Sequence, residues 1–275
     1  MNTNFSSTIH EWLISSKKLL SHGGIDSARI DSLLMLEMVT KMDRAKILAN
    51  PNHQLSKKEL SKLSKILALR LSHYPMPYIT GKTEFYGNDF LVNKNVLIPR
   101  PETEEIIHQV SILNLDSKSK IADIGTGSGC IGITIKLLMQ NAIIDLYDIS
   151  IKALSVARKN SKNLNADVGI YKSNLLKNLR TDYDVVIANL PYVPKEIATG
   201  KEIEFEPKKA IFADNNGMVI LEEFWLQIKK LEKKPKYIIT ESLDFQHDLN
   251  NLLATICGYS QLKKSNLTQV FIVQV

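Results

Sequence analysis

A glycine-rich segment and an acidic residue after it carry the first chemical signal in the sequence. The segment reads DIGTGSGCIG from Asp123 to Gly132 and lies between a predicted strand and a predicted helix. Glycines let the backbone turn tightly and let a ligand approach closely, and free amides at a helix start suit an anionic group. Asp148 ends the next predicted strand, where its carboxylate can accept both hydroxyls of a ribose. The pattern predicts a site for an adenosine-containing ligand.

Two ligand classes fit this segment. Gly127, Gly129 and Gly132 satisfy the Gly-x-Gly-x-x-Gly pattern of dinucleotide enzymes, and Asp148 lies about 20 residues further on, as that pattern requires. Asp123 and Gly125, read together with the later glycines, favour the DxGxGxG form of methyltransferases that use S-adenosylmethionine. The segment alone therefore leaves NAD and S-adenosylmethionine open.

The tetrapeptide NLPY at residues 189–192 is the second chemical signal. It follows the predicted strand YDVVIA, and strand ends beside the topological switch of a doubly wound sheet carry the ligand. Asn-x-Pro is also a common turn, but the preceding strand places this one at the same sheet edge as the glycine segment. We therefore expect a catalytic site made of Asn189, Leu190, Pro191 and Tyr192.

These residue types suit methyl transfer to a planar amide or amino nitrogen. Because a sulfonium methyl is already electrophilic, the weakly nucleophilic nitrogen needs positioning more than it needs a base. The side-chain oxygen of Asn189 and the backbone carbonyl of Leu190 can each accept one hydrogen bond from an NH2 group, which fixes its direction. Pro191 stiffens the loop, and Tyr192 offers an aromatic face to the planar group.

Over nearly its whole length the sequence resembles the HemK/PrmC family of protein-(glutamine-N5) methyltransferases. The resemblance is carried by the segments YITGKTEFYG, LIPRPETE, DIGTGSG, NLPYVP and FEPKKAIFADNNG. It implies methyl transfer from S-adenosyl-L-methionine to the side-chain amide nitrogen (N5) of the glutamine in the Gly-Gly-Gln loop of class I peptide chain release factors. S-adenosyl-L-homocysteine would be the product, and no metal would take part.

The resemblance also implies which residues hold the cofactor. The glycine segment would line its methionine part, Asp148 would hold the ribose, and Asn174 with Leu175 would lie at the adenine. Asn189 would belong to both the cofactor site and the catalytic site. The implied cofactor set is Gly125, Thr126, Gly127, Ser128, Gly129, Asp148, Asn174, Leu175 and Asn189.

Four positions depart from the usual family pattern. Leu190 replaces the first proline of Asn-Pro-Pro-Tyr, and the resulting tetrapeptide also resembles that of ribosomal RNA adenine dimethyltransferases. Asn174 stands where many relatives have Asp, Leu175 replaces a common aromatic residue, and Glu204 stands where relatives often have Arg. Leu190 keeps the backbone carbonyl that the chemistry needs, so we expect activity to survive this change.

Hydrophobic spacing predicts three regions. Residues 1–75 show helical periodicity and should form a small helical bundle that recognises the substrate, with a helix at Arg44–Ala49 and a capping box formed by Ser56 and Glu59. Alternating aromatic, branched and polar residues predict a β-hairpin linker over 76–100. From Lys120 onward, strands and helices alternate, which predicts a parallel sheet covered on both faces.

The last region completes the predicted fold class, which is α/β. The C-terminal segment GYSQLKKSNLTQVFIVQV predicts two strands with a turn near Asn266. Such an antiparallel pair closes the sheet of a methyltransferase. We therefore expect residues 101–275 to form a Rossmann-like class I methyltransferase domain with a mostly parallel, seven-stranded sheet.

Composition limits the remaining possibilities. The net charge of +6 is mildly basic and the lysines are spread along the chain, so direct nucleic-acid binding is not expected. The two cysteines, Cys130 and Cys257, form neither a disulfide framework nor a metal-spaced set. No signal-peptide pattern and no apolar run of roughly 18 residues is present. We expect a monomer in the cytoplasm without membrane association.

Three alternatives stay open at this point. An N6-adenine methyltransferase acting on RNA or DNA would share the tetrapeptide, although it predicts strong salt dependence and a more basic N-terminal region than this one. An NAD-dependent oxidoreductase would leave residues 189–192 without a role. A cofactor-binding module without catalysis would not need an intact tetrapeptide.

Overall fold

The computed structural model describes residues 8–197 and 200–274. The chain divides into two compact units, Met1–Gly81 and Lys82–Val275, and each has its own hydrophobic core. Residues 1–7 and 275, which begin and end the predicted regions, lie outside the described range. No helix within that range has both the length and the apolar character needed to cross a membrane.

The first unit is helical in its described part, as the sequence predicts. Trp12, Leu36 and Leu63 are fully buried in its core. The predicted capping box at Ser56 and Glu59 is present. The helices are α1 (Ile9–His22), α2 (Ala28–Thr40), α3 (Arg44–Ala49), α4 (Lys57–Leu71) and α5 (Met76–Thr80).

Helix α5 shortens the predicted hairpin region. Pro77 lies in its first turn, and Gly81 follows its last turn with a left-handed backbone (φ 77°). These are helix start and stop signals, so residues 76–80 are helical where the sequence predicts hairpin. The hairpin itself pairs residues 82–85 with 88–91.

The second unit contains the remaining strands and helices of the described residues. Its strands are β1 (Lys82–Phe85), β2 (Asn88–Leu91), β3 (Lys120–Ile124), β4 (Ile143–Asp148), β5 (Gly169–Lys172), β6 (Val185–Ala188), β7 (Val193–Pro194), β8 (Phe212–Ala213), β9 (Tyr237–Glu241), β10 (Tyr259–Ser265) and β11 (Thr268–Val273). Its α-helices are α6 (Glu104–Ile112), α7 (Cys130–Leu138), α8 (Ile151–Asn163), α9 (Val219–Lys229) and α10 (His247–Ile256). Short 3-10 helices cover Pro101–Thr103, Lys201–Phe205, Lys208–Ala210 and Asp244–Gln246.

Seven of these strands form one sheet in the order β10-β11-β9-β6-β3-β4-β5. The pairs β9-β6, β6-β3, β3-β4 and β4-β5 are parallel, whereas β10 and β11 pair antiparallel to each other and β11 pairs antiparallel to β9. Apolar clusters bury both faces of the sheet. This is the predicted Rossmann-like α/β fold, with the predicted turn at Asn266 between its last two strands.

The order of the strands defines where a ligand should bind. From β3 the chain continues to β4 and β5 on one side, and from β6 it continues to β9 on the other. The topological switch therefore lies between β3 and β6, and ligands of open α/β sheets bind outside the carboxyl ends of strands at such a point. Ile124 and Ala188 are register partners at the ends of these strands, so the glycine segment and the tetrapeptide leave the sheet side by side.

Candidate active site

The glycine segment turns sharply at the end of β3. Gly125, Gly127 and Gly129 have positive φ angles of 73°, 56° and 85°, a region that side chains disfavour. The backbone amides of Gly125 and Thr126 donate to the carbonyl of Tyr147 on the neighbouring strand, at 2.8 and 2.9 Å. These bonds fix the path of the segment against β4.

Asp123, near the end of β3, holds the glycine segment by hydrogen bonds. Its Oδ2 atom accepts hydrogen bonds from the Thr126 hydroxyl at 2.6 Å and from the Gly132 amide at 3.0 Å. Oδ1 is buried and has no hydrogen-bond partner among the described residues. Burial raises the pKa of Asp123 to about 6, although both hydrogen bonds oppose the shift. Asp123 is therefore a buried support for the segment.

Asp148 lies beside the segment at the end of β4. Its carboxylate accepts from the Gly127 amide at 2.9 Å and from the Ser150 amide at 2.8 Å. Burial raises its pKa, while these amides oppose the shift. A carboxylate has about four acceptor positions, so two backbone donors leave capacity for a ribose diol. Within the described part of the chain, a side-chain carbon at Gly127 would meet nothing nearer than 4.0 Å, so the space beside this glycine is open to a ligand.

Asn174 and Leu175 lie next to Asp148, at the end of β5. The amide of Ser173 donates to the Asp148 carbonyl at 3.1 Å, which brings the two strand ends together. Asn174 is exposed, and Leu175 has a left-handed backbone (φ 54°). The predicted ribose and adenine residues therefore share one edge of the sheet with the glycine segment.

The tetrapeptide meets the glycine segment directly. A Cβ atom at Gly125 would lie 3.0 Å from Cδ2 of Leu190 and 3.5 Å from the carbonyl oxygen of Asn189. Leu190 is buried in the core, while its three companions are only partly buried. The structure therefore places side by side the two segments that the sequence singled out.

Two residues that the sequence analysis missed support Asn189. The side-chain nitrogen of Asn189 donates to the Thr103 hydroxyl at 3.2 Å, and this hydroxyl donates to Oε2 of Glu241 at 3.3 Å. Thr103 and Glu241 are almost fully buried. Thr103 belongs to the LIPRPETE segment and Glu241 ends β9, so a search for polar residues at every strand end would have found Glu241.

Glu241 is a carboxyl group in a buried environment. Its pKa is raised to about 7, mainly by burial and also by the Glu102 charge, whereas side-chain hydrogen bonds from Thr103, Tyr192 and Asn189 oppose the shift. Burial also raises the pKa of Tyr192, and the nearby Glu241 and Glu102 carboxylates raise it further. Glu241 therefore changes its protonation state near neutral pH, whereas Tyr192 stays protonated there.

Among the described residues, no group of three or more His, Cys, Asp or Glu side chains is arranged to hold a metal. The site consists of the glycine segment, the strand-end carboxylates of Asp148 and Glu241, and the Asn189 amide, which is held by the Thr103 hydroxyl. Such groups can bind a nucleoside and orient a polar nitrogen. They supply hydrogen-bond acceptors rather than a strong nucleophile.

Comparisons with known proteins identify the family of the chain. Residues 11–81 match the PrmC N-terminal domain and residues 108–216 match the methyltransferase small domain. The release factor glutamine methyltransferase of Bacillus subtilis (strain 168) is 33% identical over 245 residues, covering 85% of this chain and 84% of that protein. The chain belongs to the release factor glutamine methyltransferase family. Another relative with this name, from Mycoplasma mycoides subsp. mycoides SC, is 33% identical over 267 residues, covering 92% of this chain and 87% of that protein.

A solved structure supports the fold of this family member. The catalytic domain of hMettl16, in complex with MAT2A 3'UTR hairpin 6, superposes with a TM-score of 0.54. It is 16% identical, and the match covers 80% of this chain and 82% of that one. At this identity the likeness concerns the Rossmann-like methyltransferase fold alone.

An ion pair joins two segments that carry the family resemblance. Nη2 of Arg100, in LIPRPETE, lies 2.5 Å from Oε1 of Glu206, in FEP. The other carboxylate oxygen of Glu206 accepts from the Ile98 amide at 2.9 Å, and the Glu206 side chain is buried. These contacts hold the LIPRPETE segment, which contains Thr103, against the FEP segment that follows the tetrapeptide.

Glu204, one of the four departures from the family pattern, lies at the rim of a cavity. The cavity has a volume of about 540 Å³ and is also lined by Lys195, Phe212 and Ile220. Lys195 forms an ion pair with Asp214 at 2.6 Å. Glu204 is exposed, so its charge lies at the protein surface.

Proposed function

We propose that this enzyme transfers the methyl group of S-adenosyl-L-methionine to N5 of the glutamine in the Gly-Gly-Gln loop of class I release factors. The observation that carries the proposal is the direct contact between the glycine segment and the tetrapeptide, through Gly125 and Leu190. A cofactor held by the first would lie beside an amide held by the second. Family membership gives the substrate class.

The residues present fit the cofactor. We assign Gly125, Thr126, Gly127, Ser128 and Gly129 to the methionine part, Asp148 to the ribose, and Asn174 with Leu175 to the adenine. Asn189 borders both ligands. The carboxylate of Asp148 and the open space at Gly127 support this assignment. When bound, S-adenosyl-L-methionine supplies an electrophilic methyl group on a sulfonium, and S-adenosyl-L-homocysteine is left after transfer.

The tetrapeptide orients the glutamine amide. The Asn189 Oδ1 atom accepts one N–H of the substrate, and the backbone carbonyl of Leu190 accepts the other. Both in-plane N–H bonds are then held, and the lone pair, perpendicular to the amide plane, is left to face the methyl group. These acceptors favour the positive charge that develops on nitrogen. As the N–CH3 bond forms and the S–CH3 bond breaks, the nitrogen releases one proton to solvent water. Pro191 restricts the loop, and the ring of Tyr192 packs against the planar amide.

Transfer of labelled methyl groups tests this function. The full chain and labelled S-adenosyl-L-methionine are incubated in four separate assays. The first contains a class I release factor, and the second contains the same factor with alanine in place of the Gly-Gly-Gln glutamine. The third contains tRNA, and the fourth contains ribosomal RNA. Label is expected only in the release factor that keeps its Gly-Gly-Gln glutamine. Label in RNA and none in the release factor would favour the N6-adenine alternative and reject the proposal.

The helical unit is proposed to recognise the release factor. It has its own core and contains none of the proposed site residues, while its helices expose large apolar side chains such as Ile14, Ile30 and Leu48. A chain that begins at Lys82 should still bind S-adenosyl-L-homocysteine but lose most activity on the intact factor. Circular dichroism must show that this truncated chain is folded, and full activity in the folded chain would contradict the recognition role.

We also propose that the enzyme acts as a monomer in the cytoplasm, where its protein substrate takes part in translation. Light scattering coupled to size-exclusion chromatography should give one chain of 31.0 kDa. A stable dimer at micromolar concentration would overturn the monomer proposal without affecting the proposed chemistry.

A further inference from the structure

Asn189 has two chemically different ends, and only one suits the proposed reaction. Its Oδ1 accepts hydrogen bonds, whereas its Nδ2 donates two. A substrate NH2 group needs an acceptor, so the amide must present Oδ1. If the side-chain amide turned by 180°, donors would face donors and the glutamine would be misplaced. Some neighbouring group must therefore fix the orientation of Asn189.

The hydrogen bonds to Thr103 and Glu241 supply this control. An ionised carboxylate can only accept, so the Thr103 hydroxyl must donate to Glu241, as it does at 3.3 Å. The hydroxyl has a single proton, so its oxygen is left to accept from Nδ2 of Asn189, at 3.2 Å. The donor end of the amide is thereby occupied, and Oδ1 is directed elsewhere.

We infer that Glu241 is a positioning residue whose ionised carboxylate orients the Asn189 amide through the Thr103 hydroxyl. The inference rests on the proposed function, because it assigns a role within that reaction. Protonation of Glu241 removes the control. A protonated carboxyl can donate to Thr103, which can then donate to Oδ1 of a reversed Asn189 amide.

The surroundings of Glu241 allow this reversal near neutral pH. Burial is the main cause that raises its pKa to about 7. Glu102, on the 3-10 helix, contributes to this shift, while side-chain hydrogen bonds from Thr103, Tyr192 and Asn189 oppose it. Cys130, at the start of α7, also lies within electrostatic range. Because the ionised form is the competent one, kcat should fall as pH drops through this pKa.

Four variants and the wild type separate positioning from structure. Thr103→Val and Glu241→Gln remove the directional control, Thr103→Ser keeps the hydroxyl, and Thr134→Val is the matched control, because the buried Thr134 hydroxyl has no partner among the described residues. For each protein, kcat and KM on the release factor are measured from pH 6 to 8.5, together with the Kd of S-adenosyl-L-homocysteine.

Thr103→Val should lower kcat by about tenfold, less than the 10²–10³ expected for loss of the orienting group itself. Thr103→Ser should recover most of that loss, and Thr134→Val should match the wild type. The wild-type kcat should rise with pH through about 7, and this step should disappear in Glu241→Gln. The Kd of S-adenosyl-L-homocysteine should change by less than about threefold, since neither side chain is assigned to the cofactor.

Other results would overturn the inference. It is wrong if Thr103→Val keeps wild-type kcat, or if the pH step persists in Glu241→Gln. An equal loss of kcat and of cofactor affinity would indicate a structural role instead. If Thr103→Val fails to fold, Thr103→Ser and the two pH profiles still decide. A wild type that leaves the release factor unmodified rejects the proposed function and this inference with it, whereas an active wild type with unaltered variants rejects this inference alone.

Discussion

The side-chain amide of Gln246 donates to the backbone carbonyl of Tyr192 at 2.8 Å. The same nitrogen donates to the carbonyl of Asn216 at 2.6 Å, and Gln246 is buried. Gly217 packs closely here, because a Cβ atom on it would lie 2.0 Å from the Tyr192 carbonyl oxygen and 2.4 Å from the Gln246 nitrogen. The loop that carries the tetrapeptide is thus held by residues far along the chain.

This packing predicts that Gly217→Ala destabilises the second unit and slows methyl transfer. The residue has a positive φ of 83°, and the clash with Tyr192 forces the loop to move, so the two effects should cost about 2–4 kcal/mol. Gly200→Ala is the control, since a Cβ atom on it would meet no atom of the described residues within 4 Å. Urea unfolding and initial rates measure both effects, and equal stability of the two variants would contradict the prediction.

Two glycines of the segment should respond differently to alanine. At Gly127 the added carbon enters open space, so stability should fall by only about 1–2 kcal/mol from the left-handed backbone, while cofactor affinity should fall by about tenfold or more. At Gly132 the carbon would lie 2.2 Å from Cδ2 of Leu146, so stability should fall by about 1–3 kcal/mol. Calorimetric titration with S-adenosyl-L-homocysteine and urea unfolding test the pair. Wild-type affinity in Gly127→Ala would argue against a cofactor at this position.

Contiguous features of the site could be predicted from the sequence. The glycine segment and Asp148 follow from local pattern, because each stands at the end of a short apolar strand, where a parallel sheet places its ligand. Helix α3 could likewise be bounded at Arg44 and Ala49, since its signals lie within a few residues. The family resemblance implies the substrate class, which spacing alone does not give. The adenine position that it also implies, at Asn174 and Leu175, stays a prediction.

Long-range contacts could not be predicted in this way. Thr103 is 86 residues from Asn189 and 138 residues from Glu241, and no local pattern encodes such pairs. The ion pair between Arg100 and Glu206 is equally long-range, although both of its segments carry the family resemblance. Helix α5 could not be predicted for another reason, because its aromatic and β-branched residues also suit a strand.

Restoring the family's proline tests the role given to the backbone of residue 190. Leu190→Pro keeps the carbonyl, so kcat should stay within about tenfold, equivalent to about 1.4 kcal/mol. Leu190 is buried in the core, so its smaller replacement should lower stability by about 1–3 kcal/mol. Asn189→Ala is the contrasting variant and should lower kcat by about 10²–10³, with cofactor affinity within a few-fold. A folded but inactive Leu190→Pro would show that the leucine side chain shapes the substrate pocket.

Two buried carboxyl groups should make stability depend on pH in an identifiable direction. Burial raises the pKa of Asp123 from 3.8 to about 6 and that of Glu241 from 4.5 to about 7. Between about pH 4 and 7 the folded state therefore keeps protons that the unfolded state has released, so these two groups lower stability as pH rises through that window. Above about pH 7 both states are ionised and their contribution becomes constant.

The difference between wild type and an Asp123→Asn/Glu241→Gln variant isolates this effect from other carboxylates. Because one pKa unit corresponds to about 1.4 kcal/mol, the stability of the variant relative to wild type should rise by a few kcal/mol between pH 4.5 and 7.5. Glu232→Gln, at an exposed position, serves as the control and should follow the wild type. Urea unfolding of the three proteins across this range gives the answer, and parallel curves for wild type and double variant would show that neither carboxyl group retains its proton on folding.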